Sequence, residues 1–405
     1  MNWLKNTYRS DAKIGRFLGV LVLWGIGYGF YRGVQENYLV DIIQISAFER
    51  GIVEFFREMP GLLIVLILAL MYKLTASRIF KIGIGIMAGG MAGILLTSSS
   101  EFFRTKLLVV IFMVVFSAGE HIIMPVRSTI ALDLAKREKA GISLGISSSI
   151  SQLGNIFGLA IVTLVFFLLG KKGFVRTDIL GFRIVLGISF AVLLASVMVA
   201  AAMEETTMKA NRQRIYFAKK FTKFYILEIF YGARKQVFIT FAPFALVRYY
   251  GADPSNMAIL LAVCAGFGIL FGPLTGKIID KLGYKVVMVA DTIILVAVCL
   301  LYGYAHQIFP MNIAVIVVYV NFVLDSIISM ASMATNVYVQ RIASSQEELT
   351  ATLSTGISVN HLISIIIALT GGLIWEVAGI ERLFTLSAVL GLISSIYAAT
   401  IKVVK

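Results

Sequence analysis

The 405-residue chain is short of charge: Asp, Glu, Lys and Arg make up 14% of it, against roughly 25% in a soluble globular domain. So few charges cannot supply the polar surface that a water-soluble protein of this size needs. Hydrophobic residues make up 59%, and the mean hydropathy is +0.90. That excludes intrinsic disorder, which requires low hydrophobicity. Cysteine is nearly absent, and both Cys264 and Cys299 lie within apolar runs. Neither a disulfide framework nor a cysteine metal site is expected from them. No GxxxxGK[ST] phosphate loop occurs, which argues against a nucleotide-driven pump. No arrangement of nucleophile, base and orienting acid is visible. The sequence therefore predicts no catalytic residues, no metal and no cofactor.

What the chain has is long, continuous apolar stretches. They do not alternate as barrel strands do, so transmembrane helices of about 20 residues are implied. Runs near 16–42, 52–72, 79–98, 107–130, 141–169, 180–202, 224–248, 256–275, 285–304, 311–336, 351–374 and 382–401 predict twelve spans. They leave no room for a sizeable soluble domain. Residues 1–16 are polar and basic without a small-residue cleavage site after the first apolar run, so that run is read as a span and not a signal peptide.

The formal charge of +14 would suggest nucleic acid in a soluble protein. Here it reads as cytoplasmic loops rich in Lys and Arg, and no nucleic-acid partner is expected. Lys5, Arg9, Lys13 and Arg16, then Lys73, Arg78 and Lys81, then Lys136, Arg137 and Lys139, and finally Lys277, Lys281 and Lys285 all fall on one side of twelve spans. Both termini are then cytoplasmic, in a multi-pass protein of the cell's inner membrane. The loop 170–183, with Lys171, Lys172, Arg176 and Arg183, disagrees. The basic stretch 204–223, with Lys209, Arg212, Arg214, Lys219, Lys220 and Lys223, reads as a cytoplasmic connector carrying a short helix on the inner membrane surface.

The two halves repeat. LTASRIFKIG from Leu74 aligns with LTGKIIDKLG from Leu274, an offset of 200; EHII from Glu120 aligns with DSII from Asp325, an offset of 205. GIS from Gly145 pairs with GIS from Gly356, and YGFYR from Tyr28 with YGARK from Tyr231. Their common order supports a duplicated architecture, in which a site forms where the two repeats meet.

GKIIDKLGYK, Gly276 to Lys285, resembles the loop signature of the major facilitator superfamily. Gly276 is expected to allow close helix approach, Gly283 to supply a turn with φ > 0, and Asp280 to latch the cytoplasmic side against a helix N-terminus or an arginine. The first-half copy is degenerate, with Ala76 and Phe80 in place of Gly276 and Asp280. The resemblance implies an all-α membrane protein of twelve transmembrane helices in two pseudo-symmetric six-helix bundles. On this reading 1–203 and 224–405 are the bundles, 204–223 joins them, and a central cavity opens alternately to each side.

An ionisable residue inside a span costs roughly 2.5–3.5 kcal/mol on insertion scales, so each needs a reason. They concentrate on the first, second, fourth and seventh spans: Arg32 and Glu36; Glu54, Arg57 and Glu58; Glu120, His121 and Arg127; Glu228, Arg234 and Lys235. The ninth span adds Asp291, the tenth Asn321 and Asp325, and the eleventh Asn360 and His361. In the family resembled, the first, fourth, seventh and tenth helices line the cavity. Glu120 and Asp325, each about 20 Å into its span at 1.5 Å per residue, are candidate proton-coupling acids, with Glu36 third; static ion pairs with Arg32, Arg127, Arg234 or Lys235 are the alternative. Arg32, Arg234 and Lys235, with Tyr31 and Tyr231, are candidate solute-binding residues. Arg57 and Glu58, adjacent and so expected to point apart, read with Glu54 as an outer gate. The fifth span, GISLGISSSISQLGNIFG from Gly141, has small residues for tight packing and lacks the Gly-Pro pair of many drug exporters.

These features together predict a monomeric, lipid-embedded secondary transporter. It would move a small organic anion or zwitterion with protons. Proton-driven export of amphipathic compounds and a lipid flippase are the alternatives.

Overall fold

The computed structural model describes residues 7–8, 11–175, 178–206 and 216–402, and these are overwhelmingly helical. The helices are α1 Asp11–Asn37, α2 Ala47–Leu62, α3 Ile64–Leu70, α4 Ala76–Ser99, α5 Lys106–Leu134, α6 Ala140–Lys171, α7 Ile179–Ala201, α8 Thr222–Arg248, α9 Pro254–Leu282, α10 Tyr284–Ile308, α11 Met311–Ile328, α12 Met333–Ile342 and α13 Gln346–Ala399. Nine of the helices among the described residues are long and apolar enough to cross a membrane. Helix α13 is two crossings run together at Gly379, whose φ of 88° and ψ of 165° are not helical. Dividing it there, and adding the pair α2–α3 and the charged α8, reproduces the twelve spans read from the sequence.

The second span begins earlier than its hydropathy suggests. Helix α2 starts at Ala47, and its first turns carry Arg50 and Glu54 on a face buried by protein, with Glu49 half-buried; a hydropathy window discards such residues. The helix runs through Pro60 and breaks at Leu63.

Two compact units emerge. One comprises residues 1–44, 63–212 and 253–262; the other comprises 45–62, 213–252 and 263–405. In the first, α1 and α6 meet through small residues. A Cβ on Gly25 or Gly29 would collide with the carbonyl oxygens of Ser151 and Asn155, and one on Gly154 or Gly158 with those of Val22 and Ile26. The fifth span therefore packs as its composition indicates. Gly158→Val is expected to lower the midpoint of thermal unfolding, at a cost of about 1–3 kcal/mol for overpacking; Gly187→Ala, where nothing lies within 4 Å, should leave it unchanged. In the second unit, Gly51 on α2 and Gly372 on α13 bring those helices together in the same way, with a Cβ on Gly372 placed 2.8 Å from the Ala47 carbonyl oxygen.

The cations of loop 170–183 have structural employment. Arg183 Nε donates to the Ser98 carbonyl oxygen at 2.7 Å and its Nη2 to that of Ser99 at 3.1 Å, closing the C-terminus of α4, where unpaired carbonyls attract a cation. Lys171 lies 4.5 Å from the Phe167 ring centroid. Lys5, Arg9, Arg176, Lys209, Arg212 and Arg214 lie outside the described residues, as do residues 207–215 of the connector expected from the sequence. In the described part of that stretch, Lys219–Phe221 forms a single 3-10 turn. Glu204, just before it, meets Lys13 at 2.9 Å, and this hydrogen bond holds its carboxyl below the usual range.

The degenerate loop of the first half is tied down without an aspartate. Arg78 pairs with Glu205 at 2.5 Å, Lys81 Nζ donates to the Met203 carbonyl oxygen at 2.6 Å, and Phe80 is fully buried against Phe17. In the second half Gly283 has φ 85°, the region its turn requires. Asp280 is exposed. At Gly276 the expectation of close helix approach fails, since an added Cβ there would meet nothing within 4 Å.

Candidate functional site

The second unit holds three ionic constellations inside its helices. The first is centred on Arg234 of α8, which is buried. Its Nη1 donates to both carboxylate oxygens of Asp291 on α10, at 2.8 and 2.6 Å, and its Nη2 lies 3.5 Å from Oδ1 of Asp325 on α11. The side chains of Arg234, Asp291 and Asp325 are 8%, 10% and 15% exposed. One guanidinium thus stands between two carboxylates. With both ionised, the group would carry one excess negative charge in a low-dielectric interior, which is costly. Sharing one proton between the acids restores neutrality. A cavity of about 50 Å3 adjoins the group, lined among others by Leu227, Tyr231, Arg234, Asp291, Ser332 and Thr335; it has room for water, not for an organic solute.

This geometry changes the reading of two residues. Arg234, a candidate solute anchor from the sequence, is occupied by acids. Asp325 is in an ion pair with it, as the static alternative anticipated. Asp291 was visible as the acid of an otherwise apolar span, and the insertion cost of Arg234 demanded a counterion. Only the fold shows that α10 supplies it.

The second constellation runs along α2. Arg50 Nη1 donates to Glu54 at 3.0 Å, and Arg57 donates to Glu54 through Nε at 2.9 Å and Nη2 at 2.5 Å. Arg57 Nη2 also reaches Glu58 at 2.9 Å, and Oε2 of Glu58 lies 3.0 Å from His361 Nδ1 on α13. Arg57 and Glu58 therefore do pair, contrary to expectation. Neighbouring Cα–Cβ bonds diverge by about 100° on a helix, but the long arginine side chain folds back so that its fork grips the acid three residues before it and the one after it. Residues Arg50, Glu54, Arg57 and Glu58 are all under 10% exposed.

The third is Glu228 on α8, buried, with Thr335 Oγ1 of α12 3.1 Å from Oε1 and Asn360 Nδ2 of α13 3.4 Å from Oε2. Among the described residues no cation lies within ion-pairing distance of it. Lys235 and Tyr231 on the same helix are half-buried.

In the first unit, Arg32 and Glu120 are half-buried and Glu36 is buried. Tyr31 packs its ring 4.2 Å from Phe116. His121 faces its own helix, its Nδ1 2.9 Å from the Ser117 carbonyl oxygen. Arg127 lies 5.5 Å from the Trp24 ring centroid, within cation–π range.

Residues 224–404 match the profile of the Major Facilitator Superfamily, and nearly the whole chain has the fold of its solved transporters. The nucleoside transporter NupG is 12% identical with a TM-score of 0.73, covering 97% of this chain and 100% of its own. A D-xylose-proton symporter is 11% identical with a TM-score of 0.74, covering 97% and 98%. A POT family transporter in complex with 5-aminolevulinic acid is 11% identical with a TM-score of 0.73, covering 94% of each chain. No curated protein matches the chain.

The chain is an all-α, multi-pass membrane protein with the fold of these transporters. Such identities to the solved transporters carry the fold alone. The solute and the driving ion must be argued from this chain's own side chains.

Proposed function

We propose that the protein is a proton-coupled secondary transporter of a small organic anion or zwitterion, working by alternating access in the cytoplasmic membrane with both termini inside. The repeats 1–203 and 224–405, joined by the basic connector 204–223, are the halves that alternate. The carrying observation is Arg234 held between Asp291 and Asp325. Two largely buried carboxylates on one guanidinium, beside a small and mainly apolar cavity, form a group that takes up one proton at little electrostatic cost and releases it when a second cation or water reaches it. Asp325 is the acid that exchanges the proton, because it holds Arg234 by a single contact where Asp291 holds it by two. Glu120, its repeat partner, and Glu36 are further coupling candidates in the other unit.

With Arg234 occupied, Arg32 and Lys235 remain as the cations for the solute's anionic group, with Tyr31 and Tyr231 beside them in sequence. A solved relative of the same fold holds 5-aminolevulinic acid and another is a proton symporter; both support the reading by analogy of fold. On this proposal Asp280, Gly276 and Gly283 belong to the cytoplasmic gate, and the Arg57–Glu58 pair belongs to a gate on the opposite side.

The test begins with a thermal-shift screen of amino acids, carboxylates, nucleosides and sugars on purified protein. Uptake of the stabilising solute into proteoliposomes, with and without a pH gradient, follows. The proposal expects accumulation only with the gradient, and loss of solute affinity by about tenfold or more in Lys235→Ala, the scale of one lost ionic contact. Accumulation indifferent to the gradient would refute the coupling. Unchanged affinity in both Arg32→Ala and Lys235→Ala would refute the anionic site.

A further inference from the structure

Glu228 is surrounded in a way that counts protons. Among the described residues its carboxyl oxygens meet neutral groups, Thr335 Oγ1 at 3.1 Å and Asn360 Nδ2 at 3.4 Å. The same Thr335 hydroxyl lies 2.8 Å from the carbonyl oxygen of Ser332. A threonine hydroxyl has one proton. If it donates to Ser332, the shorter contact, then only lone pairs face Glu228, and the Glu228–Thr335 contact is a hydrogen bond only when the proton sits on the carboxyl. If Glu228 is ionised, Thr335 must turn to donate to it, and the Ser332 carbonyl loses that donor.

The charged groups around it do not decide the matter for ionisation. Arg234 on α8 is held by Asp291 of α10 and Asp325 of α11. His361 of α13 faces Glu58, and Arg50 and Arg57 of α2 face Glu54 and Glu58. Lys235 remains, two turns along the same helix, roughly 10 Å of rise away. Ser332 ends the 3-10 turn Ser329–Ser332 that interrupts the tenth span between α11 and α12. Thr335 and Ser332 also border the small cavity beside Arg234 and Asp291, which gives a proton a way in by water.

We infer that Glu228 is a second proton-carrying acid, whose protonated form is the partner of a Thr335 hydroxyl committed to Ser332, so that its loss of a proton unfastens the turn between α11 and α12. Glu228 does not itself line the cavity, so the proton passes from its Oε1 to the Thr335 oxygen as that hydroxyl gives its own proton to water in the cavity; the Thr335 O–H then faces the ionised carboxylate in place of the Ser332 carbonyl, and no other bond changes. Interruptions of helical hydrogen bonding are where helices hinge, so this places a proton-sensitive joint in the tenth span. The use of that proton in transport rests on the reading given above; its residence on Glu228 does not.

Infrared difference spectra of the full-length protein in lipid nanodiscs, recorded as the pH is raised, test the assignment without any solute. A protonated-carboxyl stretch is expected that fades with rising pH, disappears in Glu228→Gln and persists in Asp325→Asn. It should shift in Thr335→Val, which removes the acceptor, and return to its wild-type position in Thr335→Ser. Should Glu228→Gln fail to fold, the Val and Ser pair decides. A spectrum identical in wild type and Glu228→Gln, or a band that Thr335→Val does not move, overturns the inference. If the band behaves as expected while a pH gradient drives no uptake, the coupling proposal fails and this assignment stands.

Discussion

Asp325→Asn is expected to abolish accumulation driven by a pH gradient while leaving exchange of solute across the membrane intact. The amide keeps the size of the side chain and its place near Arg234, but removes the proton that the group would exchange. Arg234 then retains Asp291 alone, a neutral pair with two good hydrogen bonds at 2.8 and 2.6 Å, so folding should survive. Asp291→Asn should also weaken coupling, since a single carboxylate on Arg234 is a neutral pair with no proton to share, and should be harsher for stability, because the better-bonded partner is lost. Arg234→Ala should be worst of all: it leaves two buried carboxylates without a counterion, and breaking a buried pair costs about 3–5 kcal/mol. Counterflow and gradient-driven uptake, measured side by side in proteoliposomes, separate these outcomes. Equal loss of both activities in Asp325→Asn would point to a structural role.

Arg57→Ala is expected to destabilise the protein more than any other change on α2. Arg57 donates to Glu54 twice and to Glu58 once, and its removal leaves Glu54, which is fully buried, with Arg50 as its remaining cation, and Glu58 with His361. A loss of about 3–5 kcal/mol is expected for a buried charge so stranded. The pair Glu58→Gln with Arg57→Met should recover much of it, because it removes the arginine together with an acid and leaves the buried Arg50–Glu54 pair intact. Thermal unfolding of the single and double variants checks this. Additive losses would show that the two side chains act independently.

Most of the fold was legible in the sequence, for a physical reason. A bilayer demands long apolar helices, and hydropathy reports them directly. The same criterion misplaced the start of α2, where Arg50 and Glu54 are buried in protein. The embedded charges were legible as a set, because each has an insertion cost. Their pairing was not. Asp325 with Arg234 joins residues 91 positions apart, and Glu58 with His361 joins residues 303 apart; no local spacing encodes either. Gly283 was readable from a turn that needs positive φ. Gly276 was misread, because a glycine in a motif reports close approach only where a neighbouring helix arrives. Glu228 was seen as one charge among several; its distinction is that no cation among the described residues lies at ion-pairing distance, which only coordinates reveal.

The central claim is that the carboxylates around Arg234 exchange the transported proton. Its most direct test is gradient-driven uptake in Asp325→Asn proteoliposomes beside counterflow in the same preparation. Counterflow near the wild-type rate with no concentrative uptake is the predicted result; concentrative uptake at the wild-type rate contradicts it.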